Sequence, residues 1–177
     1  MLVGIPGSGK STWARDFVLA HPRYRIVSTD AMRAELYGDE SIQGDWPQIW
    51  RGITTQWQQS IAAIQQGELE GVIYDATNAR RRQRRGAIAV ARQLGFAPIT
   101  LIWFDVPLSL ALERNRERGS KPSPEGRSRL VPPDIIATMH RQTQGAPPSV
   151  AEGVEQVLVL TPNSYPRLLF SSSDPLR

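Results

Sequence analysis

The sequence predicts an α/β fold in which a parallel sheet of four or five strands carries helices on both faces. Two observations indicate this fold. Short runs rich in Val, Ile and Leu alternate with longer stretches of helical periodicity along the 177 residues. Near the start of the chain, a glycine-rich pattern separates the strand-like Leu2–Gly4 from a helix-like segment that follows Lys10.

The strands and helices can be placed from composition and spacing. The predicted strands are Leu2–Gly4, Tyr24–Ser28, Val72–Tyr74, Ile99–Phe104 and Val157–Leu160, whose apolar composition suits burial on both faces. The predicted helices run from Lys10 to about Ala20, onward from Pro47, and over about Arg81–Leu94, Ser109–Arg118 and Pro133–Gln142. In the second helix Trp50, Ile53 and Trp57 recur at spacings of three and four, so both tryptophans are predicted to belong to the core rather than to stack on bases.

Composition restricts the classes of protein. One domain is predicted over residues 1–170, with a mobile loop at Gly119–Pro132 and a flexible tail at 171–177. The chain has no cysteine, which excludes disulfides and thiolate metal sites. It has no apolar run of about 18 residues and no secretory layout at its start, so a cytoplasmic location away from membranes is expected. The net charge of +4 favours anionic partners.

The glycine-rich pattern, from Gly4 to Ser11, matches G-x-x-x-x-G-K-[ST] at every position. Glycines allow successive backbone N–H groups to point at phosphate oxygens, and the N-terminus of the following helix adds partial positive charge. The pattern therefore predicts a P-loop NTPase three-layer sandwich that binds ATP, with Lys10 on the β- and γ-phosphates and the Ser11 hydroxyl on Mg²⁺. The residues predicted to hold the nucleotide here are Gly4, Pro6, Gly7, Ser8, Gly9, Lys10, Ser11 and Thr12.

Only three residues precede Gly4, whereas a typical strand has about five. Because this strand should be central in the sheet, the native protein is expected to start upstream of Met1. Adding the encoded upstream residues is then expected to raise the melting temperature.

Further segments extend the phosphate loop into a longer pattern. They are, in chain order, Pro6-Gly7-Ser8-Gly9-Lys10-Ser11-Thr12-Trp13-Ala14-Arg15, Ser28-Thr29-Asp30-Ala31-Met32-Arg33, Asp75-Ala76-Thr77-Asn78, Phe104-Asp105-Val106-Pro107 and Arg114-Asn115-Arg116-Glu117-Arg118-Gly119, with Val131-Pro132 and Met139 further on. In order and spacing they resemble the kinase domain of bacteriophage-type polynucleotide 5′-hydroxyl kinases. The resemblance implies transfer of the γ-phosphate of ATP to a 5′-hydroxyl end of nucleic acid.

The resemblance also implies roles for individual residues. Asp30 matches the general base, Arg33 matches an arginine that grips the acceptor's phosphate, and Arg118 matches a catalytic arginine on a lid at about 114–132, with Arg114 nearby on the nucleotide. The chain departs from the pattern at Ala31, which replaces a second aspartate, and in the register of Asp75.

The residues themselves support several of these roles and leave alternatives. Asp30 and Asp75 each follow a strand, and the carboxyl ends of parallel strands face the ligand crevice. Asp30 could instead cap the helix that opens at Ala31. Asp75 is predicted to hold Mg²⁺ beside Ser11 or to contact the acceptor. Thr77 and Asn78 are predicted to cap the next helix, with Asn78 also a candidate acceptor contact.

A run of arginines opens the helix after Asn78. Its members are Arg80, Arg81, Arg82, Arg84 and Arg85. Five positive charges near a helix N-terminus oppose the helix dipole, which an anionic partner would offset, and a solvated face is the alternative. The acceptor that the resemblance implies, and that we predict, is a nucleic-acid 5′ end. The alternatives are a small hydroxyl-bearing acceptor, such as a sugar, nucleoside or antibiotic, or a nucleotide-dependent binding module without kinase activity.

Overall fold

A computed structural model describes residues 1–120 and 130–162 of the chain. Within them the strands are β1 (Leu2–Val3), β2 (Tyr24–Ser28), β3 (Gly71–Asp75), β4 (Thr100–Phe104) and β5 (Gln156–Leu160). The helices are α1 (Lys10–Ala20), α2 (Thr29–Tyr37), α3 (Trp46–Gln65), α4 (Arg81–Gln93), α5 (Leu108–Ser120) and α6 (Pro133–Gly145), and a 3₁₀ turn at Val150–Glu152 precedes β5. Residues 121–129 of the expected lid and the whole expected tail lie outside the described residues.

All strand pairs are parallel, as the alternation of short apolar runs and helices predicted. Hydrogen bonding joins β1, β4 and β5 in that order, and separately joins β2 to β3. The two groups meet where β1 and β3 end, because Gly4 N donates to Thr77 O at 3.0 Å. Asn78 Nδ2 adds a second bond there, to Leu2 O at 2.8 Å. The order of neighbours is thus β2-β3-β1-β4-β5, and the predicted α/β fold is confirmed.

Helices cover both faces of this arrangement. One apolar cluster packs Ile53 and Trp57 of α3 and Ile88 of α4 against the sheet. A second cluster packs Trp13 and Phe17 of α1 on strand residues of the opposite face. The result is three layers with two cores, one on each side of the strands.

The core prediction for Trp50 and Trp57 of α3 is confirmed. Trp57 is only 2% exposed, and Trp50, which is half-buried, meets it edge to face with ring centroids 5.4 Å apart. No helix in the described ranges, 1–120 and 130–162, is long and apolar enough to cross a membrane.

Arg84 of the arginine run is neither on a solvated face nor placed to bind an anionic partner, which were the two interpretations of the run. The side chain of Arg84 is fully buried and forms a two-bond ion pair with Glu152, from Nε to Oε2 at 2.8 Å and from Nη2 to Oε1 at 2.7 Å. Its Nη1 donates to the carbonyls of Asn78 and Ala79. Arg84 is therefore neither solvated nor available to an anion, because its guanidinium fastens α4 to the turn before β5.

Removing this arginine tests that structural role. Replacement of Arg84 by methionine leaves Glu152 buried without its partner, so we expect the free energy of unfolding to fall by about 3–5 kcal/mol. Urea denaturation measures the change. The matched control is Arg85→Ala, one residue along and exposed, for which we expect a change within about 0.5 kcal/mol. Equal effects of the two substitutions would contradict the assignment.

Candidate nucleotide and acceptor site

The phosphate loop between β1 and α1 has a backbone that only glycine adopts without strain at two positions. Gly7 has φ 81°, and Gly9, which caps α1, has φ 95°. A Cβ on Gly7 would also lie 2.3 Å from the carbonyl oxygen of Ala111 on α5. These two glycines therefore set both the shape of the loop and its close approach to α5, and they leave the first amides of α1 directed into the loop.

Lys10, the first residue of α1, is buried inside this loop. Its Nζ donates to Ile5 O at 3.0 Å and to Ser8 Oγ at 3.3 Å. Burial lowers the pKa of Lys10 to about 8, while the carboxylates of Asp75 and Asp30 oppose that shift and Arg118 adds to it. Asp30, Asp75 and Arg118, which were all predicted to belong to the site, thus lie near enough to Lys10 for their charges to influence its pKa.

The end of β2 places Asp30 in the first turn of α2. Ser28 is the N-cap of this helix, and its hydroxyl accepts from the backbone N–H groups of Asp30 and Ala31. The alternative interpretation of Asp30 as the cap is wrong, because the helix begins at Thr29, two residues before the predicted start at Ala31, and its N-cap is Ser28. The Asp30 carboxylate does not cap the helix, and the Asp30 side chain is 61% exposed to solvent.

Asp30 instead pairs with Arg33, one turn along α2. Arg33 Nη1 donates to Asp30 Oδ1 at 2.7 Å. The arginine side chain is only 14% exposed, so Arg33 is not a solvated surface residue. Its Nε is buried and has no hydrogen-bond partner among the residues that the structure describes. The guanidinium is therefore held in place by one carboxylate with part of its donor capacity unused.

The end of β3 lies beside the end of β2, where Asp75 stands opposite Ser28 in the parallel register. Asp75 is 7% exposed and faces the same edge as Lys10.

The prediction that Thr77 and Asn78 cap α4 is wrong. The N-cap is Arg80, without a side-chain bond, because Asn78 turns away at φ 50° and donates to Leu2 O and Ala76 O. A direct contact of Asn78 with an acceptor stays a prediction.

The oxygen donors at this edge suit a magnesium ion. Ser11 lies in the first turn of α1, with its side chain exposed, and Asp75 supplies a carboxylate. Hard oxygen ligands of this kind are those that Mg²⁺ takes, usually together with phosphate oxygens and water. Across the described parts of the chain there is no group of three or more His, Cys, Asp or Glu that could hold a metal by itself. The residues therefore fit an ion that arrives with a triphosphate.

The arginines predicted for the lid lie on α5. Arg114 and Arg118 are exposed, and the charge of Arg118 acts on Lys10. Sequence reasoning missed Asn115 between them, which is only 2% exposed. Its Nδ2 donates to Val131 O at 2.9 Å, and its Oδ1 accepts from Val131 N at 3.1 Å. Asn115 thus connects the two flanks of the expected lid. The sequence indicates this role only weakly, because Asn115 lies four positions after Ala111 and therefore on the same, buried face of α5.

The family follows from a match along most of the chain. A profile of the AAA domain family matches residues 1–146. The chain belongs to this family. Its phosphate loop, parallel sheet and flanking helices are those of the P-loop kinases found among its relatives.

Relatives of different kinds resemble parts of the chain. An L-seryl-tRNA(Sec) kinase of Methanococcus maripaludis is 27% identical over 146 residues, which cover 80% of this chain and 51% of that protein. A structure of the Pnkp1/Rnl/Hen1 RNA repair complex superposes with a TM-score of 0.64 and 26% identity, covering 81% of this chain and 43% of the other. A candidate kinase from Chloroflexus aurantiacus j-10-fl has the same fold, with a TM-score of 0.61, 18% identity and coverage of 94% and 85%. The chain therefore spans about half or less of the first two relatives.

Burial of Lys10 predicts that nucleotide binding is coupled to a proton. The pKa of Lys10 is about 8 in the protein without nucleotide, and contact with phosphate should raise it. Binding of Mg-ATP near pH 8 should therefore take up roughly half a proton. Affinity should fall as the pH rises through 8, since the ammonium form attracts phosphate. Calorimetry in buffers of different ionisation enthalpy measures the uptake. The control is Lys10→Arg, which keeps the positive charge but does not titrate near pH 8, so its binding of Mg-ATP should take up no proton at this position. Binding by the parent chain that releases protons, or that takes up none, would contradict the role of Lys10.

Proposed function

We propose that this protein is an ATP-dependent kinase that transfers the γ-phosphate to the 5′-hydroxyl end of a nucleic acid. The observation that carries the proposal is the pair of Asp30 and Arg33 beside the phosphate-loop lysine, at the carboxyl edge of the sheet. A carboxylate able to accept a proton and a guanidinium able to hold an anionic acceptor stand together there, next to the residue that would hold the donor's phosphates.

Each residue then has a defined task. Mg-ATP supplies the γ-phosphoryl group and the charge neutralisation that goes with the ion. Asp30 accepts the proton of the attacking hydroxyl, and Arg33 orients the acceptor. Lys10 binds the β- and γ-phosphates, while Ser11 and Asp75 hold the ion. Arg118, aided by Arg114, neutralises charge that builds up during transfer, which can be worth 10³–10⁵ in rate.

The position of the basic residues supports a polymeric acceptor. The exposed arginines of α4 and its N-cap are Arg80, Arg81, Arg82 and Arg85. They follow the segment after Asp75, so they begin at the same edge of the sheet as the reaction site. Arg80 Nε donates to Gln142 of α6 at 3.3 Å, next to the exposed Arg141. Positive charge beyond the reacting end suits the phosphates of a strand, and the names of two relatives include RNA.

One observation favours a smaller acceptor. The segment between α2 and α3 is acidic, with Asp39, Glu40 and Asp45, and it adjoins the helix that carries Asp30. Negative charge there opposes a polyanion that runs in this direction. A neutral acceptor such as a sugar or nucleoside would not be repelled by these carboxylates. The salt dependence of acceptor affinity therefore distinguishes a nucleic acid from a small neutral acceptor.

The role of Asp30 is tested by Asp30→Asn. We expect ATP affinity to be retained and turnover to fall by at least about 10²-fold, the scale of losing a general base. The assay uses γ-labelled ATP with a panel of 5′-hydroxyl DNA, 5′-hydroxyl RNA, nucleosides and sugars. Glu35→Gln is the matched control, since Glu35 is an exposed carboxylate on the same helix. Normal turnover in Asp30→Asn would remove Asp30 as the base. ATP binding without transfer to any acceptor would indicate a binding module.

The polymeric acceptor is tested by the double substitution Arg81→Ala with Arg82→Ala. For a 5′-hydroxyl oligonucleotide, the slope of log affinity against log salt should become shallower by about 0.7 for each phosphate that the protein no longer neutralises. The control is Arg23→Ala, because Arg23 precedes β2 at the opposite edge of the sheet. An acceptor affinity that is insensitive to salt in the parent chain would instead indicate a small neutral acceptor.

A further inference from the structure

Trp46, the first residue of α3, is a large aromatic residue that stands half in solvent. It is 47% exposed, whereas Trp57 of the same helix is 2% exposed. Its indole ring is stacked on that of Trp50, with ring centroids 6.0 Å apart and an angle of 21° between the planes. Contact with Trp50 therefore supports the Trp46 ring from one side, while nearly half of the residue's surface is open to a partner.

The stacked rings lead from solvent to the edge of the sheet where the site lies. Trp50 contacts Tyr74 with ring centroids 6.4 Å apart. Tyr74 directly precedes Asp75 at the end of β3, and the charge of Arg33 acts on it. Only one ring thus separates Trp46 from the residues that gather around the phosphate loop.

Contacts between α2 and α3 fix the position of the Trp46 ring. The Tyr37 hydroxyl, at the end of α2, donates to Gln48 Oε1 at 3.3 Å and accepts from Asp45 N at 2.9 Å. The two helices also pack closely, since a Cβ on Gly52 would lie 2.3 Å from Met32 Sδ. The start of α3 is therefore tied to the helix that carries the proposed base. A ring held in this way loses little freedom when a partner stacks on it.

The two segments that reach this edge of the sheet beside α3 differ in charge. The connection between α2 and α3 carries the carboxylates of Asp39, Glu40 and Asp45. α4 packs on the same face of the sheet as α3 and begins, after the end of β3, with the exposed Arg81 and Arg82. Phosphates are repelled by the first group and attracted by the second. A strand that leaves the site here therefore lies with its backbone toward α4 and its bases toward α3.

We propose that Trp46 is a base-stacking platform, on which an unpaired nucleobase near the 5′ end of the acceptor lies while neighbouring phosphates meet the arginines of α4. The inference rests on the proposed function and narrows it to acceptors with a single-stranded 5′ end, because a paired base inside a duplex has no free face. Stacking on an aromatic ring tolerates every base, so this contact selects the unpaired state and not a sequence.

The experiment removes the base and the ring separately and together. Fluorescence anisotropy with Mg-ADP present measures the affinity for short single-stranded 5′-hydroxyl oligonucleotides, each of which lacks one base at a different position. For the parent chain, loss of the base at one position near the 5′ end should weaken binding at least about fivefold. Trp46→Ala should bind the complete oligonucleotide more weakly by a similar factor, and loss of the same base should then have no further effect.

Two further variants separate stacking from apolar bulk. Trp46→Tyr should restore most of the affinity because it keeps an aromatic face, whereas Trp46→Leu keeps only an apolar side chain and should not. Leu19→Ala is the matched control and should bind as the parent does, since Leu19 is an exposed apolar residue near the end of α1, away from the phosphate loop. Urea denaturation of each variant checks that the fold is retained.

The outcomes distinguish this inference from the proposed function. The platform is overturned if Trp46→Ala discriminates against the missing base as the parent does, or if Trp46→Leu binds as tightly as Trp46→Tyr. If oligonucleotides are phosphorylated without any dependence on Trp46, only the platform is lost and the proposed function stands. If no oligonucleotide binds and only nucleosides or sugars are phosphorylated, both are overturned.

Discussion

The buried ammonium group of Lys10 is the contact on which the arrangement of the site depends. The left-handed turns at Gly7 and Gly9 fold the phosphate loop around it, and Ile5 O and Ser8 Oγ hold its Nζ. The charged residues that surround it come from separate elements: Asp30 from α2, Asp75 from β3 and Arg118 from α5. The charge of Lys10 is thus influenced by charged groups that lie far apart in the chain.

The site is built at the point where parallel strands end. Asp30 and Asp75 come to the same edge because β2 and β3 run side by side in register, with Ser28 opposite Asp75. At the opposite edge of the sheet, Trp57, Ile61 and Ile64 of α3 border a cleft of about 420 Å³. The two edges therefore differ in chemistry, because polar side chains and loop amides gather at the carboxyl ends of the strands while apolar side chains predominate at the other edge.

The structure divides the arginines of the chain into different kinds of group. Arg84 is fixed by Glu152 inside the domain, Arg33 is fixed by Asp30 at the site, and Arg81 and Arg82 remain in solvent. Under the proposed function, residues of one type would serve folding, acceptor positioning and long-range attraction. Burial decides between these roles, since a guanidinium taken out of water must be paired.

The sequence by itself determined the α/β fold, all five strands to within a few residues and the phosphate loop of a P-loop kinase, because periodicity and the glycine pattern are local properties of the chain. It also selected Asp30, Asp75 and Arg118, which the fold brings to Lys10. Only the tertiary structure decided that Ser28 caps α2, that Asn78 fastens β1, that Asn115 bonds to the backbone of Val131 and that Arg84 is buried. Each of those outcomes depends on a partner supplied by a distant segment or by the exact start of a helix, and local spacing carries no information about either.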